Sequence, residues 1–319
     1  HGVLREPNDI YSYSALACIA IQSNQNDQHG GQSIVNFDYG LAPGVAKTYK
    51  KLYLVNLKKA AEILAPSREL SLRDFKTMAA EIEAVSGLKP QLGGNAEYEK
   101  LELAKLTALL GYEDNARQAQ AFAIKNTEGE TDHSTYQAME ALIHNLNTMH
   151  SRAGAQTPFS SINYGMDTTP EGRMVIKNVL LATEAGLGHG ETPIFPIHIF
   201  RVKEGINYNP GEPNYDLFQL ACRVSAKRLF PNFSFVDAPF NLQYYREGHP
   251  ETEIAYMGCR TRVIGNVYDK TRQITNGRGN LSFTSINLPR LAIESHGDEK
   301  LFFEKLDAMM NLVATQLSD

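Results

Sequence analysis

"TPIFPIHIFRV" (Thr192–Val202) is a nearly continuous apolar run. A strand with one wet face alternates polar and apolar residues, whereas an unbroken run belongs to a strand covered on both faces, as in a parallel sheet. Its neighbours alternate in kind. "TPFSSINYG" before it is strand-like. "TTPEGRMVIKNVLLATEAGLG" reads as a helix with a Thr168-x-x-Glu171 capping box, Pro170 in the first turn and a stop at Gly186. "EPNYDLFQLACRVSAKRLFPN" supplies a helix from about Asn214 to Phe230, stopped by Pro231. "NLSFTSINLPRLAI" reads as a further strand running into a helix at Leu288 and Pro289, and an amphipathic helix from Asp298 to Gln316 closes the chain. Buried strands alternating with helices predict an α/β layer or barrel with mainly parallel strands.

Upstream the texture is helical. Ala15, Cys18, Ile19 and Gln22 follow i, i+3, i+4, i+7 spacing, and a second helical region follows Pro43. From Ser67 to about Thr131 the chain is charge-rich and broken by Gly93 and Gly94, which predicts short surface helices of an inserted subdomain. "HSTYQAMEALIHNLNTMHSRAG" predicts a helix with Met139, Leu142, Ile143 and Leu146 on one stripe, ended by Gly154. The expected division is therefore an N-terminal helical part (1–54), a helical insert (55–131) and an α/β core (132–319).

A chain of 319 residues, 42% hydrophobic and 21% charged, is an ordinary globular protein with one large core or two smaller ones. A net charge of −5 without a Lys/Arg block argues against a nucleic-acid partner. No apolar run approaches the ~20 residues that cross a bilayer, so no membrane is expected. Three scattered cysteines make no disulfide framework, which points to a reducing cytoplasm. The absence of an initiator methionine suggests a piece of something longer.

Among those cysteines, Cys18 and Cys222 sit in helical patterns and read as small buried hydrophobes. Cys259, in "EIAYMGCRTRVIGN" (Glu253–Asn266), differs. Gly258 permits unusual backbone geometry, and the following residues alternate as a strand would. Continued through Cys259, that alternation puts the sulfur on one face with Thr261, and Arg260 and Arg262 on the other. A nucleophilic thiolate wants a base or cation close by; this thiol is expected to stay protonated. That suits one-electron chemistry, in which sulfur loses and regains a whole hydrogen atom. His29, His133, His144, His150 and His189 have no second ligand at metal spacing and read as structural. The hydroxyls and backbone N–H groups of Thr157, Ser160 and Ser161, in "TPFSS", are candidates for holding phosphate oxygens at a strand end.

"MGCRTRV" followed by "NGRGNLSFTSINLPRLAI" resembles the anaerobic (class III) ribonucleoside-triphosphate reductases. So do "LNTMHSRAGAQTPFSSINYG", "TPIFPIHIFRVKEGINYNPGEPNYDLFQLACRVSAKRLFPN" and "SNQNDQHGGQSIVNFDYGLAP". The likeness covers most of residues 10–50 and 134–315, and residues from about 55 to 130 match nothing in it. The resemblance implies a ten-stranded α/β barrel with a cysteine-bearing finger loop. It implies that Cys259 becomes a thiyl radical and that Asn280, in a Gly-Arg-x-Asn-Leu motif, holds the ribose hydroxyls or formate. Thr261 matches a Ser/Thr near the sugar. Formate as reductant, a radical-SAM iron–sulfur activase, dNTP and ATP effectors and a homodimer paired through helices are implied with it, the helix around Ala15–Gln22 being the candidate for pairing. The family's glycyl-radical loop and four-cysteine zinc site have no counterpart in these residues. The chain is thus expected to be a central barrel portion with no cofactor of its own, inactive alone. Alternatives are another glycyl-radical barrel resembling pyruvate formate-lyase, and a non-catalytic nucleotide-binding or dimerisation module.

Overall fold

The computed structural model describes residues 5–151, 154, 156–259, 261–266, 268–280 and 282–318. Helix α1 (Ile10–Asp27) starts where the Asp9 carboxylate accepts the Ser12 N–H, at 2.9 Å, one of the amides a helix start leaves unpaired. Strand β1 (Gln32–Ile34) follows, then α2 (Phe37–Leu64), α3 (Leu72–Ser86), α4 (Ala96–Leu110) and the 36-residue α5 (Glu113–Thr148). Next come β2 (Ser160–Tyr164), α6 (Pro170–Ala185), β3 (Ile197–Val202), α7 (Tyr215–Arg228), β4 (Asn232–Phe235) and the short α8 (Pro239–Leu242). Strands β5 (Ala255–Met257) and β6 (Thr261–Val263) form an antiparallel hairpin, and α9 (Leu288–Glu294) and α10 (Glu299–Ser318) end the chain.

The sheet runs β1-β2-β3-β4, all parallel, as the apolar run predicts. Its two faces differ in chemistry. Alternation along each strand sends Ile34, Ile162, Tyr164, Phe200, Val202 and Phe233 toward the helix layer, where they join one core with residues of α1, α2, α5, α6 and α7. The same register sends Ser33, Ser161, Asn163, Ile199, Arg201, Asn232 and Ser234 to the opposite face, where the hairpin lies. Helices thus cover one face of the sheet and the hairpin lies on the other; among the described residues the parallel sheet has four strands and the ten-stranded barrel is not seen.

Several expectations need correction. The N-cap of α6 is Thr169, whose hydroxyl accepts the Gly172 N–H at 3.1 Å, so the start lies one residue past Thr168. Helix α5 ends at Thr148 rather than Gly154, although its predicted stripe of Met139, Leu142, Ile143 and Leu146 is buried. The stripe that buries α1 is Ile10, Ser14, Cys18, Ile21 and Gln25, and Ile19 is 56% exposed. Residues 282–287 lie outside any strand, and Cys222 is exposed on α7. The supposed run of short surface helices ends in α5, which passes through position 131 without a break, just as α2 passes through position 54. Helix α10 buries none of its residues, with Phe303, Met310 and Leu312 more than half exposed.

Candidate active site

Two three-residue strands are too little to hold a hairpin in water, so its position must come from elsewhere. Asn163, on β2, supplies it. The Tyr256 N–H donates to Asn163 Oδ1 at 2.8 Å, and Asn163 Nδ2 donates to the Tyr256 carbonyl at 2.9 Å. An amide side chain offers the same donor and acceptor as a peptide group, so Asn163 stands in for a neighbouring strand. The Ser33 hydroxyl, at 2.8 Å, and the Ser161 hydroxyl, at 3.4 Å, converge on the same carbonyl. Each such bond contributes about 0.5–1.5 kcal/mol net, and together they fix β5 across β1 and β2.

The base of the hairpin is held by buried charge. Glu253, just before β5, lies 2.8 Å from Arg201 Nη1, and Arg201 Nη2 lies 3.6 Å from Asp38 at the start of α2. Arg201 Nη1 also donates to Asn36 Oδ1 at 3.0 Å. Asp38 Oδ2 accepts the backbone N–H groups of Gly165, Met166 and Asp167 at 2.8–3.1 Å, and Tyr39 donates its hydroxyl to Glu253 at 3.1 Å. Two carboxylates thus share one guanidinium in a dry place. Burial, only partly offset by Arg201, raises the Glu253 pKa to about 7. Folded protein therefore takes up a proton that the unfolded chain, with an ordinary carboxyl near pH 4.5, does not hold. The resulting stability is complete below pH 4.5 and is lost as pH rises toward 7. Glu253→Gln should flatten that decline, a difference of no more than about 3 kcal/mol, read as the pH dependence of unfolding free energy in denaturant titrations of the two forms. Parallel curves for the two forms would refute the assignment.

At the tip of the hairpin Gly258, with φ +62°, makes the left-handed turn, and Cys259 follows it, exposed. Cys259 opens onto a hollow of about 290 Å³ lined by Ile199, Asn232, Phe233, Ser234 and Tyr256. Ligand pockets run from about 300 to 1,000 Å³, so this one suits a sugar rather than a whole nucleotide. The expected alternation begins too early: Cys259 is in the turn, and the strand starts at Thr261, exposed and opposite Met257. Arg262, opposite Tyr256, has its guanidinium 4.9 Å from the Phe240 ring centre and donates to Asn241 Oδ1 at 3.3 Å. Arg260 and Leu281 lie outside the described residues.

Gly30 and Gly31 bring the remaining expected residue close. A Cβ on Gly31 would stand 2.7 Å from Gly258 Cα and 2.7 Å from Phe159 Cδ1, and one on Gly30 would overlap the Asn280 amide. The hairpin tip and Asn280 therefore rest on adjacent residues, with Asn280 Nδ2 donating to the His29 carbonyl at 3.4 Å and the two residues forming a bridge. Asn280 is not among the residues lining the hollow beside Cys259. Of the "TPFSS" hydroxyls, that of Ser161 is committed to Tyr256, and that of Ser160 is buried toward the helix layer without a partner. Thr157 is half-buried just ahead of β2.

Reading the residues alone missed Asn163, Tyr256, Asn232 and Ser234. The signal for Tyr256 was available: it is the aromatic in the three residues before the Gly-Cys turn. Asn163 gives none, since a buried amide between Ile162 and Tyr164 looks like any polar strand residue. Among the described residues no group of three or more His, Cys, Asp or Glu could hold a metal, and no helix is long and apolar enough to cross a membrane. A second hollow, of about 550 Å³, lies between α1 and the edge strand β1, beside Leu16, Ile19, Ala20 and Asn24.

A family model described as anaerobic ribonucleoside-triphosphate reductase matches residues 1–319. The chain is 34% identical over 211 residues to the anaerobic ribonucleoside-triphosphate reductase of Escherichia coli (strain K12), covering 65% of this chain and 28% of that protein. It is likewise 34% identical over 205 residues to the enzyme of the same name from Enterobacteria phage T4, covering 63% of this chain and 33% of that protein. The chain thus spans about a third or less of the length of these relatives.

Proposed function

Since the chain belongs to the anaerobic ribonucleoside-triphosphate reductase family, we propose that it is the part of such an enzyme that carries the reacting thiol. The observation behind this reading is Cys259, exposed at the tip of a hairpin fixed over the polar face of a parallel sheet, beside a sugar-sized hollow. In this reading Cys259 Sγ gives up its hydrogen atom. The thiyl radical then takes the hydrogen from C3′ of the ribose, the C2′ hydroxyl leaves as water, and the hydrogen returns to C3′. Formate supplies two electrons and leaves as carbon dioxide, so that ribonucleotide and formic acid become deoxyribonucleotide, carbon dioxide and water.

A glycyl radical, installed by a radical-SAM iron–sulfur activase, supplies the oxidising equivalent that starts the cycle; it and a structural zinc belong to parts of the enzyme beyond these residues. Among the described residues β1 and β4 are the edges of the sheet, and there it would continue into a ten-stranded barrel. Asn280 and Thr261 are proposed as contacts to the sugar or formate, and Thr157 as the contact to the triphosphate, since the Ser160 hydroxyl is buried on the helix side and that of Ser161 is held by Tyr256. Pairing of two subunits through α1, with dNTP or ATP effectors at the pair, fits the exposed Ile19 and the hollow beside it; sedimentation of the full-length enzyme with and without effector tests it. The setting proposed is the cytoplasm.

The decisive assay uses a full-length reductase containing this segment, activated without oxygen and given a ribonucleoside triphosphate and formate. Deoxynucleotide and carbon dioxide should appear in equal amounts. Effector binding and pairing with no product would instead favour a non-catalytic nucleotide-binding module.

A further inference from the structure

Tyr256 presents two different things to its surroundings. Its backbone is fixed by Asn163, Ser33 and Ser161 beneath the hairpin, while its side chain lines the hollow beside Cys259. There its phenol oxygen lies 3.2 Å from Ser234 Oγ, which is 4% exposed. Two hydroxyls joined by one hydrogen bond carry two hydrogens between them, so whichever donates, one hydrogen is left over. With Ser234 buried and donating to the phenol, the remaining hydrogen belongs to Tyr256 and is free to meet a ligand in the hollow. We infer that Tyr256 is a substrate-contacting residue that donates this hydrogen bond to a ribose hydroxyl, and so sets the preference for a ribonucleotide over the analogue lacking that hydroxyl.

The inference rests on the reductase reading, because it takes the sugar to lie beside Cys259. A site built to pair a hydroxyl rejects the analogue lacking it, since its own polar group is then left dry. Because three groups other than the phenol hold the Tyr256 backbone, Tyr256→Phe removes the hydrogen and leaves the hairpin anchored.

Binding of a ribonucleoside triphosphate and of its 2′-deoxy and 3′-deoxy analogues, measured by calorimetry on unactivated full-length reductase with the effector site saturated, tests this without any radical chemistry. Unmodified enzyme should bind the ribonucleotide about tenfold tighter than one of the two analogues. Tyr256→Phe should bring that ratio below about twofold, with affinity for that analogue retained and the melting transition lowered only by the one hydrogen bond that Ser234 loses. A variant that keeps the full ratio against both analogues overturns the inference while leaving the reductase reading intact. If the unmodified enzyme binds no ribonucleotide, both fall.

Discussion

Cys259→Ala in a full-length reductase containing this segment should lower deoxynucleotide formation at least about a thousandfold, equivalent to ~4 kcal/mol of barrier. Abstraction of a carbon-bound hydrogen needs an atom that forms a bond of matching strength and then releases it, and neither alanine nor serine can do so. Cys259 is exposed in a turn and contributes nothing to either apolar cluster. The loss should therefore come with an unchanged melting transition and unchanged ribonucleotide affinity. An alanine variant that still turned over in the anaerobic assay would end the radical assignment.

Gly31→Ala should lower activity although the residue lies outside the hollow. The added methyl would meet backbone at Gly258 and the Phe159 ring, both at 2.7 Å, and a backbone atom cannot swing aside as the end of a long side chain can. Such overpacking costs about 1–3 kcal/mol. The easier escape is for the hairpin tip to lift, and a misplacement of about 1 Å at a reacting group lowers the rate about a hundredfold. Activity should fall by that order while the ribonucleotide still binds. Gly40→Ala, in α2 with nothing within 4 Å of the new methyl, is the matched control and should leave turnover unchanged. Equal activity of the two variants would show that the tip does not depend on the double glycine.

The helix-facing half of the sheet could be read from the chain because burial on both sides leaves an apolar signature, as in Ile197–Val202. The opposite face could not, because Ser33, Ser161 and Asn163 are committed to one carbonyl more than 90 residues away, and no local pattern records that partner. The length of α5 was hidden for another reason. It is buried through Ala116, Ala119 and Ala123 and through Thr127, Thr131 and Thr135, small residues that admit a neighbouring helix without making a strong apolar stripe. The hydroxyls of Thr131 and Thr135 return to the carbonyls four residues back, at 2.7 and 2.8 Å, which is how a threonine is tolerated inside a helix. The "MGCRT" motif identified the cysteine; the position of that cysteine in a turn rather than a strand depended on Gly258 and on Gly31 beneath it. The double glycine was visible as a break in the helical pattern, yet its closeness to both Gly258 and Asn280 is a property of the assembled chain.

A sheet whose strands deal one side chain to an oily layer and the next to a polar one keeps durability and chemistry apart. Ile199, Asn232 and Ser234, which line the hollow, can be changed with little disturbance of the core, because their neighbours in the strand carry that load. Variation on this scaffold is thus cheapest at those three positions, since Ser33, Ser161, Asn163 and Arg201 on the same face are committed to holding the hairpin.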